Sequence, residues 1–205
     1  MEKWMERLHK EQGLAEEEIH TLVSMGEKRR FSAGDLVLRS GETDTHIYII
    51  SDGIWRSFCL RDGEEATMWF SVEGEITFSV WGYISNAPSR LSIESVTDSC
   101  AYAIPRFRLM EAFTSSLQMA NLGRHIVEQF VVLYENWHVC SWHQNALERY
   151  LHLMDNYPEV IHQVPLKHIA SYLGVTPQSL SRIRASLNNT SNMFIKKAYL
   201  PHFMA

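Results

Sequence analysis

A change of hydrophobic period at Pro105 constrains this chain more than any other feature. Before it, apolar residues alternate with polar ones in short runs. After it, they recur every three to four residues. The first pattern buries one face of a β-strand and the second buries one stripe of an α-helix, so a β part must precede a helical part. Between about Phe31 and Ile104, Ile54, Arg56, Phe58 and Leu60 share one side, with Trp55, Ser57 and Cys59 on the other. Met68, Phe70 and Val72 alternate with Trp69 and Ser71, and Leu91, Ile93, Cys100, Tyr102 and Ile104 supply later strands. Turn signals at Ala33-Gly34, Ser40-Gly41, Asp52-Gly53, Asp62-Gly63 and Glu73-Gly74 have the spacing of a sandwich or barrel. Asp62-Gly63 suits a two-residue hairpin. The expectation is an α+β chain that opens with an antiparallel, jelly-roll-like β-roll after a short helical lead-in.

From Leu117 to about Val139 nothing breaks a helix, which at about 1.5 Å per residue spans roughly 35 Å. Ile126, Phe130, Leu133, Trp137 and Cys140 are spaced four, three, four and three, the narrow stripe of a coiled-coil seam. Met119 and Gly123 extend it backwards, and Gly123 would let two backbones approach. The stretch is therefore expected to be a dimer helix, with a hinge from His138 to Gln144. The organisation expected is a β-roll over residues 1–115, the dimerisation helix and hinge over 116–143, and a third part over 144–205.

That third part carries the function. Pro165 suits a first helical turn, and Ile169 and Leu173 form the inner face of that helix. Ala170 is small where a second helix crosses. Gly174 can take the left-handed conformation that ends a helix. Val175 plugs the corner, Thr176 is a good N-cap, and Pro177 follows it. Leu180 and Ile183 pin the second helix. This is a helix-turn-helix. Gln178, Ser179, Ser181 and Arg182 face outward near the second helix's N-terminal half, where Gln reads adenine, Arg reads guanine, and Ser serves a base edge or phosphate.

Net charge is -5, yet no Asp or Glu follows Glu159. Lys167, Arg182, Arg184, Lys196 and Lys197 lie in that acid-free stretch, and a local cationic field serves phosphate binding better than net charge predicts. Three scattered cysteines, Cys59, Cys100 and Cys140, form no disulfide framework and suit a reducing cytoplasm. No signal peptide or membrane span is expected. His138, Cys140 and His143 have metal-like residue types, but 138 and 143 do not share a helical face, so no metal site is expected. The β region holds one histidine, His46, and the chain has no nucleophile elbow, P-loop or dinucleotide fingerprint, so an enzyme is not expected.

The order of parts resembles the Crp/Fnr family of bacterial transcription regulators. The resemblance rests on Phe31-Ser32-Ala33-Gly34-Asp35, Arg39-Ser40-Gly41-Glu42 and Ile47-Tyr48-Ile49-Ile50-Ser51-Asp52-Gly53 in the first half. In the second half it rests on Glu148-Arg149-Tyr150, Ile169-Ala170-Ser171-Tyr172-Leu173-Gly174 and Ser179-Leu180-Ser181-Arg182-Ile183. It implies a cyclic-nucleotide-binding-domain-like β-roll that senses an effector and a C-terminal winged-helix-like helix-turn-helix. It also implies a homodimer on a two-fold related operator in double-stranded DNA, with RNA polymerase as a further partner. DNA contacts would come from Lys167, Thr176, Pro177, Gln178, Ser179, Ser181, Arg182 and Arg184. Pro177 and Gln178 depart from the family's best-known readers, and the connection from Tyr157 to Val164 leaves little room for a wing.

The candidate effector pocket is Gly74, Glu75, Ser89, Arg90 and Ser92, by similarity to a Gly-Glu pair that opens a short helix and an Arg with a small neighbour that closes the cassette. The gap from Glu75 to Arg90 is longer than that motif's, it holds Phe78, Val80, Trp81 and Tyr83, and Leu91 replaces the small residue. A degenerate or altered pocket is therefore expected, with no cyclic nucleotide and an unknown small effector or none. The alternatives are a cyclic-AMP-responsive regulator and a ligand-sensing or protein-interaction module that no longer binds DNA.

Overall fold

The computed structural model of the protein describes residues 2–189, without the side chains of residues 11, 140–143, 188 and 189. It divides into two compact units, Met1–Val139 and Cys140–Ala205. The apolar segment 199–203, Lys196 and Lys197 lie outside the described residues, as do the side chains of Cys140 and His143.

The first unit opens with α1 (Lys3–Gln12) and α2 (Glu16–Ser24), followed by β1 (Glu27–Phe31), β2 (Leu36–Leu38), β3 (His46–Asp52), β4 (Ile54–Arg61), β5 (Glu64–Val72) and β6 (Ile76–Phe78). Then come α3 (Val80–Ser85), β7 (Ser92–Ser95), β8 (Ser99–Pro105), α4 (Arg106–Ser115) and α5 (Leu117–His143), the last running into the second unit. The strands form two antiparallel four-stranded sheets, ordered β1-β8-β3-β6 and β2-β7-β4-β5. The expected β-roll is present. Asp62 and Gly63 both take positive φ, 54° and 83°, as a two-residue hairpin between β4 and β5 requires. The roll starts earlier than expected. β1 reads Glu-Lys-Arg-Arg-Phe and is largely exposed, an edge strand whose charges hide it from hydrophobic alternation. The lead-in is two helices, not one, and they bury Trp4, Met5, Leu8, Leu14, Ile19 and Leu22.

Strand β3 organises the unit. Ile47, Tyr48, Ile49 and Ile50 are all buried in succession, so both of its faces are covered. Tyr48 and Ile50 point between the sheets with Leu38, Trp55, Ile93, Ala101 and Ala103. Ile47 and Ile49 point the other way, with Ile104, into a cluster supplied by α1, α2, α4 and α5. Leu122 and Ile126 of α5 belong to that cluster. The Phe130 ring lies 4.6 Å from that of Phe78 on β6. A Cβ on Gly123 would come within 2.9 Å of the Phe113 ring of α4. The seam expected at Ile126, Phe130, Leu133 and Trp137 is therefore corrected at Ile126 and Phe130. Ile126 and Phe130 face the chain's own roll, Leu133 and Trp137 are half-buried, and Gly123 makes room for an intramolecular ring rather than a second backbone. On the other sheet, Arg56 is 2% exposed and held by Glu94 and Glu65, each 2.5 Å from its Nη2.

The second unit is helical among its described residues, with α6 (Ala146–Asn156), α7 (Pro158–Gln163), α8 (Leu166–Leu173) and α9 (Pro177–Asn189). Helix α7 fills the connection from Tyr157 to Val164, and no β-wing stands there. Its core gathers Tyr150, Leu153, Val160, Val164, Ile169, Ala170, Leu173 and Leu180.

If Ile126 is a core residue, Ile126→Ala destabilises the first unit by about 2–4 kcal/mol, the range for truncating a buried Ile. Denaturant titration at two protein concentrations checks this. A concentration-dependent loss would return Ile126 to a seam.

Candidate nucleic-acid interface

Helices α8 and α9 and the turn between them form the expected helix-turn-helix. Gly174 ends α8 with φ 67° and ψ 32°. The amide N–H of Val175 donates to the Ala170 carbonyl at 3.0 Å and that of Gly174 to the Ser171 carbonyl at 3.1 Å, which closes the helix end. Thr176 caps α9: its Oγ1 accepts from the Ser179 N–H at 3.2 Å and donates to Ser179 Oγ at 3.0 Å. The Ile169, Ala170, Leu173 and Leu180 side chains are buried, as the pattern required. His168 is also buried, at 6% exposure, which the sequence reading did not single out.

The structure leaves Lys167, Thr176, Pro177, Gln178, Ser181, Arg182 and Arg184 exposed and Ser179 half-buried. Not all of their polar atoms are free. Ser181 Oγ donates back to the Pro177 carbonyl at 2.9 Å, and the hydroxyls of Thr176 and Ser179 serve the cap. Gln178 and Arg182, on adjacent turns of α9, are long exposed side chains near the start of that helix. Arg184 stands apart. Its guanidinium faces the Tyr150 hydroxyl of α6, where burial raises the phenol pKa and Arg184 opposes the rise.

The candidate effector residues do not converge in the expected way. Gly74 and Glu75 open no helix. They close the turn between β5 and β6, where Glu75 Oε2 accepts from the Val72 N–H at 3.1 Å. A Cβ on Gly74 would meet Trp4 O at 2.8 Å, so α1 seals that turn. The short helix α3 starts after Ser79, whose hydroxyl accepts from the Gly82 N–H at 3.2 Å. Ser89 Oγ is turned onto Leu91, donating to its carbonyl at 2.8 Å, and Ser92 Oγ accepts from the Ser40 N–H at 3.0 Å. Arg90 is exposed, its guanidinium 5.8 Å from the Trp81 ring centroid.

Aromatic rings pack among the aliphatic side chains inside the roll. Trp55 meets Phe31 edge-on at 5.0 Å and Tyr48 at 5.3 Å between centroids. Trp55 Nε1 donates to Ser99 Oγ at 2.8 Å, the Ser95 and Ser99 hydroxyls are 2.6 Å apart, and the Tyr48 hydroxyl donates to Asp44 Oδ2 at 2.8 Å. Burial, reinforced by Asp44, pushes the Tyr48 phenol far above its ordinary pKa. These inward polar atoms are satisfied within the chain. Two surface clefts lie elsewhere, one of about 550 Å³ along Gly13, Leu117, Asn121 and His125, the other of about 300 Å³ along Arg30, Asp52 and Cys100.

Residues 28–116 match the cyclic nucleotide-binding domain family. Among solved structures, the fold is similar to FixK2 from Bradyrhizobium japonicum, at 20% identity and TM-score 0.66, covering 80% of this chain and 84% of that one. It is similar to the c-di-GMP responsive global regulator CLP of Xanthomonas campestris, at 16% identity and TM-score 0.64, covering 83% and 90%. It is also similar to the catabolite activator protein of Thermus thermophilus, at 18% identity and TM-score 0.51, covering 89% and 86%. The chain has the Crp/Fnr regulator fold. No curated protein matches it significantly. Within that fold, no helix among the described residues is long and apolar enough to cross a membrane, and they contain no cluster of His, Cys, Asp and Glu able to hold a metal ion.

The left-handed corner gives a direct test. Gly174→Ala places a Cβ at ordinary van der Waals distance, 3.7 Å from Arg149 Nη2, so it fits without a clash and backbone strain is the main change. A loss of about 1–2 kcal/mol from the second unit is expected in thermal unfolding. No change would mean that the corner is not held in this conformation.

Proposed function

We propose that the protein is a transcription regulator that binds double-stranded DNA as a homodimer, reads an operator with α9, and has an altered effector pocket. The observation that carries this reading is the exposed pair Gln178 and Arg182 on the first turns of a capped α9, in a stretch free of acidic residues. Gln and Arg are the side chains that read adenine and guanine bidentately in the major groove. Lys167, exposed on α8, serves a phosphate, and the N-terminal end of α9 adds its own positive dipole. Pro177 and the small hydroxyls of Thr176, Ser179 and Ser181 let the helix end approach the duplex closely. The working location would be the cytoplasm.

The dimer would form along α5. Leu117, Ala120, Arg124, Val127, Val131, Tyr134 and His138 are spaced three, four, three, four, three and four, and all seven are exposed. That is the heptad pattern of a two-stranded coiled coil. It lies one position beyond the stripe expected at Ile126, Phe130, Leu133 and Trp137. A second copy of the chain covers it in this reading. Val131→Asp should then leave the unfolding of a single chain nearly unchanged while sedimentation shifts from dimer to monomer. A dimer that survives this charge at the centre of the stripe would sink the assignment.

The aromatic packing inside the roll and the absence of a helix opened by Gly74 and Glu75 support a roll that takes no cyclic nucleotide. The test of the whole reading is selection of duplexes from a random pool by the purified full chain at fixed moderate salt, with and without cyclic AMP. An inverted repeat with half-sites one helical turn apart should be enriched without cyclic AMP. Arg182→Ala should weaken binding to the selected operator by about 1–3 kcal/mol at one base pair per half-site. Enrichment only when cyclic AMP is present would overturn the altered pocket. A pool that stays random in both conditions would favour the interaction-module reading.

A further inference from the structure

Helix α6 carries two consecutive residues that hold one helix each of the helix-turn-helix. Arg149 reaches the C-terminal end of α8. Its Nη1 donates to the Tyr172 carbonyl at 3.4 Å and its Nη2 donates to the Leu173 carbonyl. Carbonyls at that position have no donor within their own helix, and a cation there also meets the negative end of the helix dipole. The guanidinium sits over the turn itself, with Nη2 at 3.7 Å from where a Gly174 Cβ would stand. Its Nε is buried without a hydrogen-bond partner. A group held in place against that desolvation is tied to geometry. The next residue, Tyr150, is 3% exposed and faces Arg184 on α9.

We infer that Arg149 is a positioning residue for DNA readout: by gripping the end of α8 it fixes the angle at which α9 leaves the turn. This rests on the DNA-binding reading above. Tyr150 and Arg184 brace the same angle from the other helix, which makes Arg184 a strut rather than a base reader. The physical reason for such a brace is the unequal tolerance of two kinds of DNA contact. Bidentate base recognition requires a donor fork placed within about 0.5 Å and 10–20°. Attraction to the phosphate backbone tolerates several poses. Loosening the corner therefore removes selectivity before it removes affinity for DNA in general. The guanidinium serves the two carbonyls from two separate nitrogens, whereas an ammonium must serve both from one, so lysine is a partial replacement.

The experiment compares the full chain with Arg149→Met and Arg149→Lys on two DNA probes at one salt concentration, the selected operator and a random duplex. Circular dichroism and thermal unfolding are recorded for each protein. Arg149→Met keeps the aliphatic stem and removes the donors. It is expected to remain folded at the assay temperature and bind the random duplex within about twofold of the unsubstituted protein. Its operator affinity should fall about tenfold or more, on the scale of one lost base contact. Arg149→Lys should recover part of that loss. Operator and random affinities that fall together in Arg149→Met and recover together in Arg149→Lys would show a purely structural role and overturn the inference. Unchanged discrimination in both variants would overturn it as well. Failure of the DNA-binding reading is visible separately, because the unsubstituted protein would then show no preference between the two probes.

Discussion

The first unit depends on one strand that is apolar on both faces. A four-residue run of buried side chains in β3 leaves neither sheet face free to meet water. One face is satisfied by the second sheet. The other requires helices, and the chain supplies them from both sides of the β region, with α1 and α2 before it and α4 and α5 after it. Helix α5 is thereby committed along the side that carries Leu122, Ile126 and Phe130. What remains outward is the adjacent stripe from Leu117 to His138. Helix α5 thus closes the roll with its inner stripe and leaves the adjacent stripe exposed.

The same constraint explains what the sequence revealed and what it hid. The strands β4 and β5 were legible because burial imposes alternation and the turns need special residues, whereas β3, apolar on both faces, showed only in the resemblance carried by Ile47 to Gly53. The stripe on α5 was legible in its period, and its first part, Ile126 and Phe130, packs on the roll. Two neighbouring apolar stripes, one through Ile126 and Phe130 and one through Val127 and Val131, differ by one residue, and only the position of the roll decides which faces inward. Strand β1 was illegible because backbone pairing to β8, not a buried face, makes it a strand. Arg56 was visible in the alternation, but the carboxylates that hold it, Glu65 and Glu94, come from other strands and are joined only by register.

The Gly74-Glu75 pair shows that a short motif does not fix its own local geometry. Gly before Glu looks like an opening for an anion-binding helix. Here the glycine has φ 84° in a turn, and the glutamate closes that turn by accepting a backbone N–H. The true helix start four residues later has its own local signal, a Ser at position 79 whose hydroxyl caps α3. By contrast, nearly all of the helix-turn-helix was legible. Its determinants are local: a glycine that takes positive φ, a capping threonine, a proline at the first turn, and four apolar residues at fixed offsets. The part that was not legible was the grip of Arg149, because α6 and the corner are separated by more than twenty residues.

Electrostatics allows an acidic chain to carry a locally cationic surface. Charges separated by more than a Debye length, about 8–10 Å at ordinary salt, are largely screened. What a phosphate would feel is therefore set by the side chains nearest to it, and net charge is a poor guide. On α8 and α9 those side chains include Lys167, Arg182 and Arg184 with no carboxylate on either helix. In the second unit the acids precede α8, and one of them, Glu148, is turned back to accept the Asn145 N–H at the start of α6. The cap that starts α6 thus occupies a carboxylate of the second unit, and the turn of the same helix that begins with Arg149 braces the corner from which α9 departs.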